Sequence, residues 1–281
     1  MAPTDRNNPV RAASSESRYS LMEFMRDFPN DAACLDWLWR TRYAADGEHA
    51  ECPRCEKVTV FKRYQTKQQR QSWTCTQCSL HLHPTAGTIF HKSSTSLHLW
   101  FYAMYLMTST RCGISAKQLE RELGVTYKTA WRMFHLIRND LMEQDYMPLD
   151  GDVEADETFI GGKPRLGDHR KNKPREHKKS VVVGAVERGG RVIAKVDKYK
   201  VNTRNHVATY VLPSANLFTD EYGAYMEVGR KFQTHQRVNH SKQVYVSGDV
   251  HTQTIEGFWA LVKNGIRGVY HAVSAKHLQG Y

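Results

Sequence analysis

The spacing of apolar residues changes twice along the chain. From Asp31 to Tyr43 a helical pattern follows Pro29-Asn30, with Leu35, Trp37 and Leu38 among its apolar positions. A second helical stretch runs from about Leu97 to Met142. Within it Ala116, Leu119 and Leu123 fall at i, i+3 and i+7, and Ala130, Met133, Phe134 and Ile137 form another stripe, each confined to one helix face. Ser115 and Gln118 have capping-box spacing, Leu123-Gly124-Val125 makes a tight turn, and Thr126 can cap the helix that follows. Beyond residue 150 the period shortens. Val153–Ile160, Ser180–Glu187 and Arg191–Val196 read as strands, the last two joined across Arg188-Gly189-Gly190 as a hairpin. Thr203–Val211 reads as a helix, Ala215–Thr219 as a short strand and Thr252–Lys263 as a helix burying Ile255, Phe258, Trp259 and Val262. Residues 1–18 read as a polar tail, and there is no internal repeat.

Charge sharpens this outline. The 281 residues suffice for two domains, and 40% hydrophobic residues with 11% aromatics suit packed cores. Lys and Arg number 40 against 29 acids, a net charge of +11 that favours a polyanionic partner. Lys128, Arg132 and His135 share one face of the second helix after the turn, at i, i+4 and i+7, the form expected of a helix that enters a major groove. Gly161–Lys179, with Lys163, Arg165, Arg170, Lys171 and Lys173 among its eight basic residues, reads as a phosphate-touching loop. No apolar run approaches the roughly 20 residues that span a bilayer, and Met1–Arg18 lacks the apolar core of a signal peptide. A cytoplasmic protein without disulfides is expected.

The cysteines point to a metal instead. Cys52-Pro-Arg-Cys55 and Cys75-Thr-Gln-Cys78 have the spacing of a four-cysteine zinc site, with Lys57–Trp73 able to form the hairpin between the knuckles. Four protein ligands leave no open position, so one structural zinc is expected. His81 and His83 follow closely and read as contact residues, while Cys34 and Cys112 read as ordinary small residues.

Carboxylates concentrate in Asp152-Val-Glu154-Ala-Asp156-Glu157, with Asp220 at the end of a strand and Glu256 on a late helix. Alternation along a strand lets Asp152, Glu154 and Asp156 share a face. Glu256 and Lys263 lie on one flank of the buried stripe of their helix. Carboxylates gathered from distant segments can hold two divalent ions for in-line displacement at a phosphodiester.

Here the sequence resembles a known family. Glu154-Ala-Asp-Glu-Thr-Phe-Ile-Gly-Gly-Lys163, Thr219-Asp-Glu-Tyr-Gly-Ala-Tyr225, Thr254-Ile-Glu-Gly-Phe-Trp259 and Gly268-Val-Tyr-His271 are similar to the DDE-type insertion-sequence transposases, in the zinc-ribbon-bearing bacterial group related to Merlin elements. The knuckles, His83–Phe90 and Gly113–Arg138 match the same group, so the likeness runs from about residue 20 to the end. The resemblance implies an α+β multidomain chain: a tail (1–18), a helical segment (19–49), a zinc ribbon (50–90), a helix-turn-helix (91–147) and an RNase H-like α/β catalytic domain (148–281). It implies Asp156, Asp220 and Glu256 as ligands of two Mg²⁺ or Mn²⁺ ions, double-stranded DNA as partner and a homodimer or higher oligomer on DNA. Where the family commonly has an Asn three residues before the Glu, this chain has Gln253, which is expected to help Glu256 at most. Family members usually continue through another helix, whereas this sequence stops at Tyr281. The alternative expectation is therefore a shortened, non-catalytic DNA-binding protein.

Overall fold

The computed structural model describes residues 19–65, 71–110, 112–142, 147–161, 179–197, 203–238 and 250–281. The basic residues Lys163, Arg165, Arg170, Lys171 and Lys173 lie outside these. The chain divides into two compact units, Met1–Thr110 with Ala116–Leu141, and Arg111–Ser115 with Met142–Tyr281.

In the first unit α1 (Leu21–Asp27) opens on a complete capping box, Ser20 with Glu23, and buries Phe24. Helix α2 (Asp31–Arg42) is capped by the Asn30 side chain, which accepts from Ala33 N. Four antiparallel strands follow in sequential order: β1 (His49–Cys52), β2 (Lys57–Gln65), β3 (Gln71–Cys75) and β4 (His81–Leu82). This ribbon does not form its core alone. Leu35 and Trp39 of α2 pack with Ala50, Cys52, Phe61, Trp73 and Cys75, and Trp39 stacks on Trp73 at 4.7 Å between ring centroids. The expected boundary between a helical segment and a ribbon domain is thus crossed by a shared core.

Helix α3 (Leu97–Ser109) precedes α4 (Ala116–Leu123) and α5 (Tyr127–Leu136), which continues as a π-helical turn, Ile137–Leu141. Helices α4 and α5 bury the two expected stripes: Ala116, Leu119 and Leu123 face Ala130, Met133 and Phe134. Gly124 between them has φ +63°, a conformation that costs a side-chain-bearing residue strain. Thr126 caps α5 by accepting from Thr129 N.

The second unit is built on a five-stranded sheet. Its strands are β5 (Asp152–Ile160), β6 (Ser180–Glu187), β7 (Val192–Asp197), β8 (Asn216–Thr219) and β9 (Thr234–Arg237), in spatial order β7-β6-β5-β8-β9. The pairs β5–β6 and β6–β7 are antiparallel, whereas β5–β8 and β8–β9 are parallel. Helices α6 (Thr203–Tyr210) and α7 (Ala224–Gly229) lie in the connections on either side of β8. Alternation in β5 gives the sheet two working faces. Val153 and Ala155 join Val207, Tyr225 and Val228 in one core, while Ile160 joins Val182, Val186, Ile255 and Trp259 in another. The second core is covered by α8 (Gln253–Asn264) and the short helical turn Leu278–Gly280. Among the described residues no helix is long and apolar enough to cross a membrane.

Candidate active site and nucleic-acid surface

In the parallel β5–β8 ladder Ala155 is the register partner of Thr219. The next residues, Asp156 on β5 and Asp220 just beyond the end of β8, continue from that pair, and Asp156 shares with Ile160 one face of β5. It is the face that α8 covers. Trp259 of α8 donates its indole N–H to Asp156 Oδ2 at 3.0 Å, which ties the helix carrying Glu256 to the strand carrying Asp156. Asp220 Oδ1 accepts from Tyr222 N at 2.9 Å, and Glu256 Oε1 accepts from the Thr252 hydroxyl at 2.9 Å.

Burial, reinforced by the negative charges of Asp220 and Glu256, pushes the Asp156 carboxyl up to about 6. Burial likewise raises Glu157 to about 7, with Asp220 and Asp156 adding to the effect against a stabilising hydrogen bond from the Tyr225 hydroxyl. Glu157 is the acid that sequence reading left without a role. It belongs to the same field of negative charge, although alternation turns it toward the other face of β5. Oxygen donors of this kind fit hard divalent cations. No three of these carboxylates bring oxygens within 4.8 Å of one another; among the described residues only Cys52, Cys55, Cys75 and Cys78 form so tight a group.

Glu154 has a different part from its neighbours. It is fully buried, accepting from Arg188 Nε at 2.8 Å, Thr254 N at 2.8 Å, Ile255 N at 3.0 Å and Thr254 Oγ1 at 3.0 Å. Asp152, two residues before it, is exposed and accepts from Asn216 Nδ2. Gln253 and Glu256 are both exposed on the first turn of α8, and Lys263 is half-buried on its last turn. Sequence reasoning missed Arg188, Trp259 as an Asp156 partner, and Gly184. The last carried a signal, a glycine inside an otherwise apolar strand pattern, which marks close approach.

In the other unit the four cysteine sulfurs lie within 4.8 Å of one another, with Cys52–Cys78 at 3.6 Å and Cys55–Cys75 at 3.9 Å. A tetrahedron with metal–sulfur bonds of about 2.3 Å has edges of about 3.8 Å, close to these two distances, so the cluster fits a zinc ion. The Thr59 hydroxyl, 3.3 Å from Cys75 Sγ, lowers that thiol to about 6, whereas the Cys78 thiol beside Cys55 raises Cys55 to about 12. His81 instead meets the Thr74 and Ser72 hydroxyls at its Nδ1, and neither His81 nor His83 joins the cluster. Cys34 is buried, its thiol pushed up to about 12 by desolvation, and Cys112 is half-buried. On α5, Lys128 and Arg132 are exposed and His135 is half-buried, its ring 4.1 Å from that of Trp131.

Residues 148–281 match the family model described as the ISXO2-like transposase domain, of the DDE type. The chain is also similar to an uncharacterised protein in transposable element ISH50 of Halobacterium salinarum, 27% identical over 82% of this chain and 82% of that one. No solved structure matches.

Proposed function

We propose that this protein is a DDE transposase of the zinc-ribbon group related to Merlin elements, which binds transposon ends and catalyses DNA strand cleavage and strand transfer. The observation that supports the reading most is the Ala155–Thr219 register pair, which Asp156 and Asp220 directly follow, together with the Trp259–Asp156 hydrogen bond that ties the helix of Glu256 to β5. The sheet order, three antiparallel strands followed by two parallel ones, supports an RNase H-like domain. The match of residues 148–281 to a transposase-domain family supports the activity.

Asp156, Asp220 and Glu256 would hold two Mg²⁺ or Mn²⁺ ions, with Gln253 beside Glu256 as a helper. Held there, such ions would supply charge neutralisation at the phosphate and activation of the attacking oxygen. The chain's own residues do the positioning. Trp259 fixes the Asp156 carboxylate, the Tyr222 amide fixes Asp220, and Lys263 on the same helix as Glu256 offers a cation to the DNA backbone.

DNA binding falls to other elements. The α4–turn–α5 pair reads as a helix-turn-helix, with Lys128, Arg132 and His135 of α5 toward the major groove. The four-cysteine ribbon supports it through a structural zinc. Lys163, Arg165, Arg170, Lys171 and Lys173 add phosphate attraction.

The test is Mg²⁺-dependent cleavage and joining of a duplex carrying the element's own end. Asp156→Asn, Asp220→Asn and Glu256→Gln should each abolish strand transfer to a similar extent, because groups acting as one unit are not additive. End binding should survive in all three. An active Glu256→Gln beside a dead Gln253→Ala would reassign the third ligand. A parent chain that binds ends yet is inert with Mg²⁺ and Mn²⁺ would establish a non-catalytic DNA-binding protein instead.

A further inference from the structure

Three elements carry the three acids, and each also sends a residue to one buried point. On β5 that residue is Glu154, two before Asp156. On β8 it is Phe218, two before Asp220 and the register partner of Glu154. On α8 it is Thr254, two before Glu256, whose amide and hydroxyl both donate to Glu154. A fourth element closes the arrangement. Arg188, in the β6–β7 turn, donates Nε to Glu154 Oε1 at 2.8 Å and Nη2 to the His251 carbonyl at 3.0 Å. Its guanidinium also lies 4.1 Å from the centre of the Phe218 ring, and its amide donates to Asp152 O at 2.9 Å.

We infer that Glu154, with Arg188, is a positioning residue that sets the spacing of Asp156, Asp220 and Glu256 for divalent-ion binding. The inference rests on the proposed role of those three acids. The physical case begins with burial. Glu154 is 0% exposed, and a carboxylate taken out of water is costly unless charge and hydrogen bonds offset the loss. Here the offset comes from one guanidinium, one hydroxyl and the two backbone amides that open α8, where the helix dipole also favours an anion. These interactions are directional. They fix the start of α8 along β5 and so the height of Glu256 relative to Asp156. A stability role alone needs no such link to the residue two before each acid, since apolar packing of Ile255 and Trp259 already attaches α8 to the sheet.

Replacing Glu154 by Gln keeps the shape but turns one acceptor into a donor facing other donors. Outer residues that orient metal ligands typically change metal affinity by about 10–100-fold when removed. The experiment measures Mn²⁺ binding to the full-length, zinc-loaded chain by electron paramagnetic resonance, with circular dichroism as a check on folding. The parent, Glu154→Gln, Thr254→Ala, Arg188→Lys and Asp156→Asn are compared.

Asp156→Asn should lose Mn²⁺ binding at the site. Glu154→Gln should stay folded and bind Mn²⁺ about tenfold or more weakly, with strand transfer recovering as Mn²⁺ is raised. A change in melting temperature without a change in Mn²⁺ affinity would mean that Glu154 merely stabilises the fold, and would overturn the inference. If Glu154→Gln does not fold, Thr254→Ala and Arg188→Lys decide it: a weakened Mn²⁺ affinity in either supports the inference, and parental affinity in both sinks it. Should Asp156→Asn itself bind Mn²⁺ normally, the assignment of the acids as ligands fails first, and the inference with it.

Discussion

Gly184 stands opposite Asp156 in the β5–β6 ladder, and a Cβ there would lie 2.7 Å from the Trp259 ring. An indole is a rigid neighbour, so the missing side chain is what lets Trp259 reach Asp156. Gly184→Ala should therefore destabilise the protein by about 1–3 kcal/mol, the usual range for overpacking, and should reduce strand transfer as the Asp156 partner shifts. Denaturant unfolding together with the transfer assay checks this; an unchanged midpoint and rate would show that the contact is slack. His206 on α6 offers a pH signature at the same scale. It is buried beside Tyr210 in the lining of a cavity of about 270 Å³, and desolvation lowers its pKa to about 4, with the Lys195 ammonium adding to the effect. The unfolded chain binds the proton more readily than the folded one between about 4 and 6.5. The contribution of His206 is thus fully present above pH 6.5 and is lost as pH falls toward 4, a change of at most about 3 kcal/mol. Asp156 and Glu157 act in the opposite sense. Their folded values are raised, so their contribution is greatest in acid and is lost as pH rises through about 6 and 7. The difference in unfolding free energy between the parent and His206→Gln isolates the histidine: it should shrink from pH 7 to pH 4.5, and a pH-independent difference would refute the assignment.

Among the elements, the zinc ribbon and α2 behave as one body because Leu35 and Trp39 complete the ribbon core. A structural zinc of this kind contributes roughly 10–16 kcal/mol of apparent binding free energy. Chelation should consequently release not only residues 50–90 but also α2, seen as loss of the near-ultraviolet signal of the stacked Trp39–Trp73 pair, while the sheet of the other unit persists. About one zinc per chain is expected; a metal-free chain with an unaltered tryptophan signal would contradict it. Much of this architecture was legible from sequence. The three long strands around the hairpin, the paired stripes of α4 and α5, and α8 all follow from periodicity, because each buries a single continuous face. What escaped was short or set by distant partners. Helix α7 and strand β9 have six and four residues, too few to show a period. For the acids, sequence placed Asp156, Asp220 and Glu256 on separate elements. It could not separate Glu154 from Asp156, since alternation puts both on one face of β5, and only the position of α8 makes the first an anchor and leaves the second half-exposed.

At the scale of the whole molecule, charge is divided between two tasks. The chain carries +11 overall, which would draw DNA to it, yet Asp156, Glu157, Asp220 and Glu256 gather acidic groups at the proposed catalytic site. The carboxyl values of Asp156 and Glu157 are raised first by burial and then by the neighbouring acids. The most direct test is anomalous diffraction from crystals of the full chain grown with Zn²⁺ and soaked in Mn²⁺. The account predicts a zinc peak among Cys52, Cys55, Cys75 and Cys78, and manganese density bridging Asp156 and Asp220 with Glu256 in reach. Manganese bound elsewhere, or none at these carboxylates at saturating concentration, would contradict it.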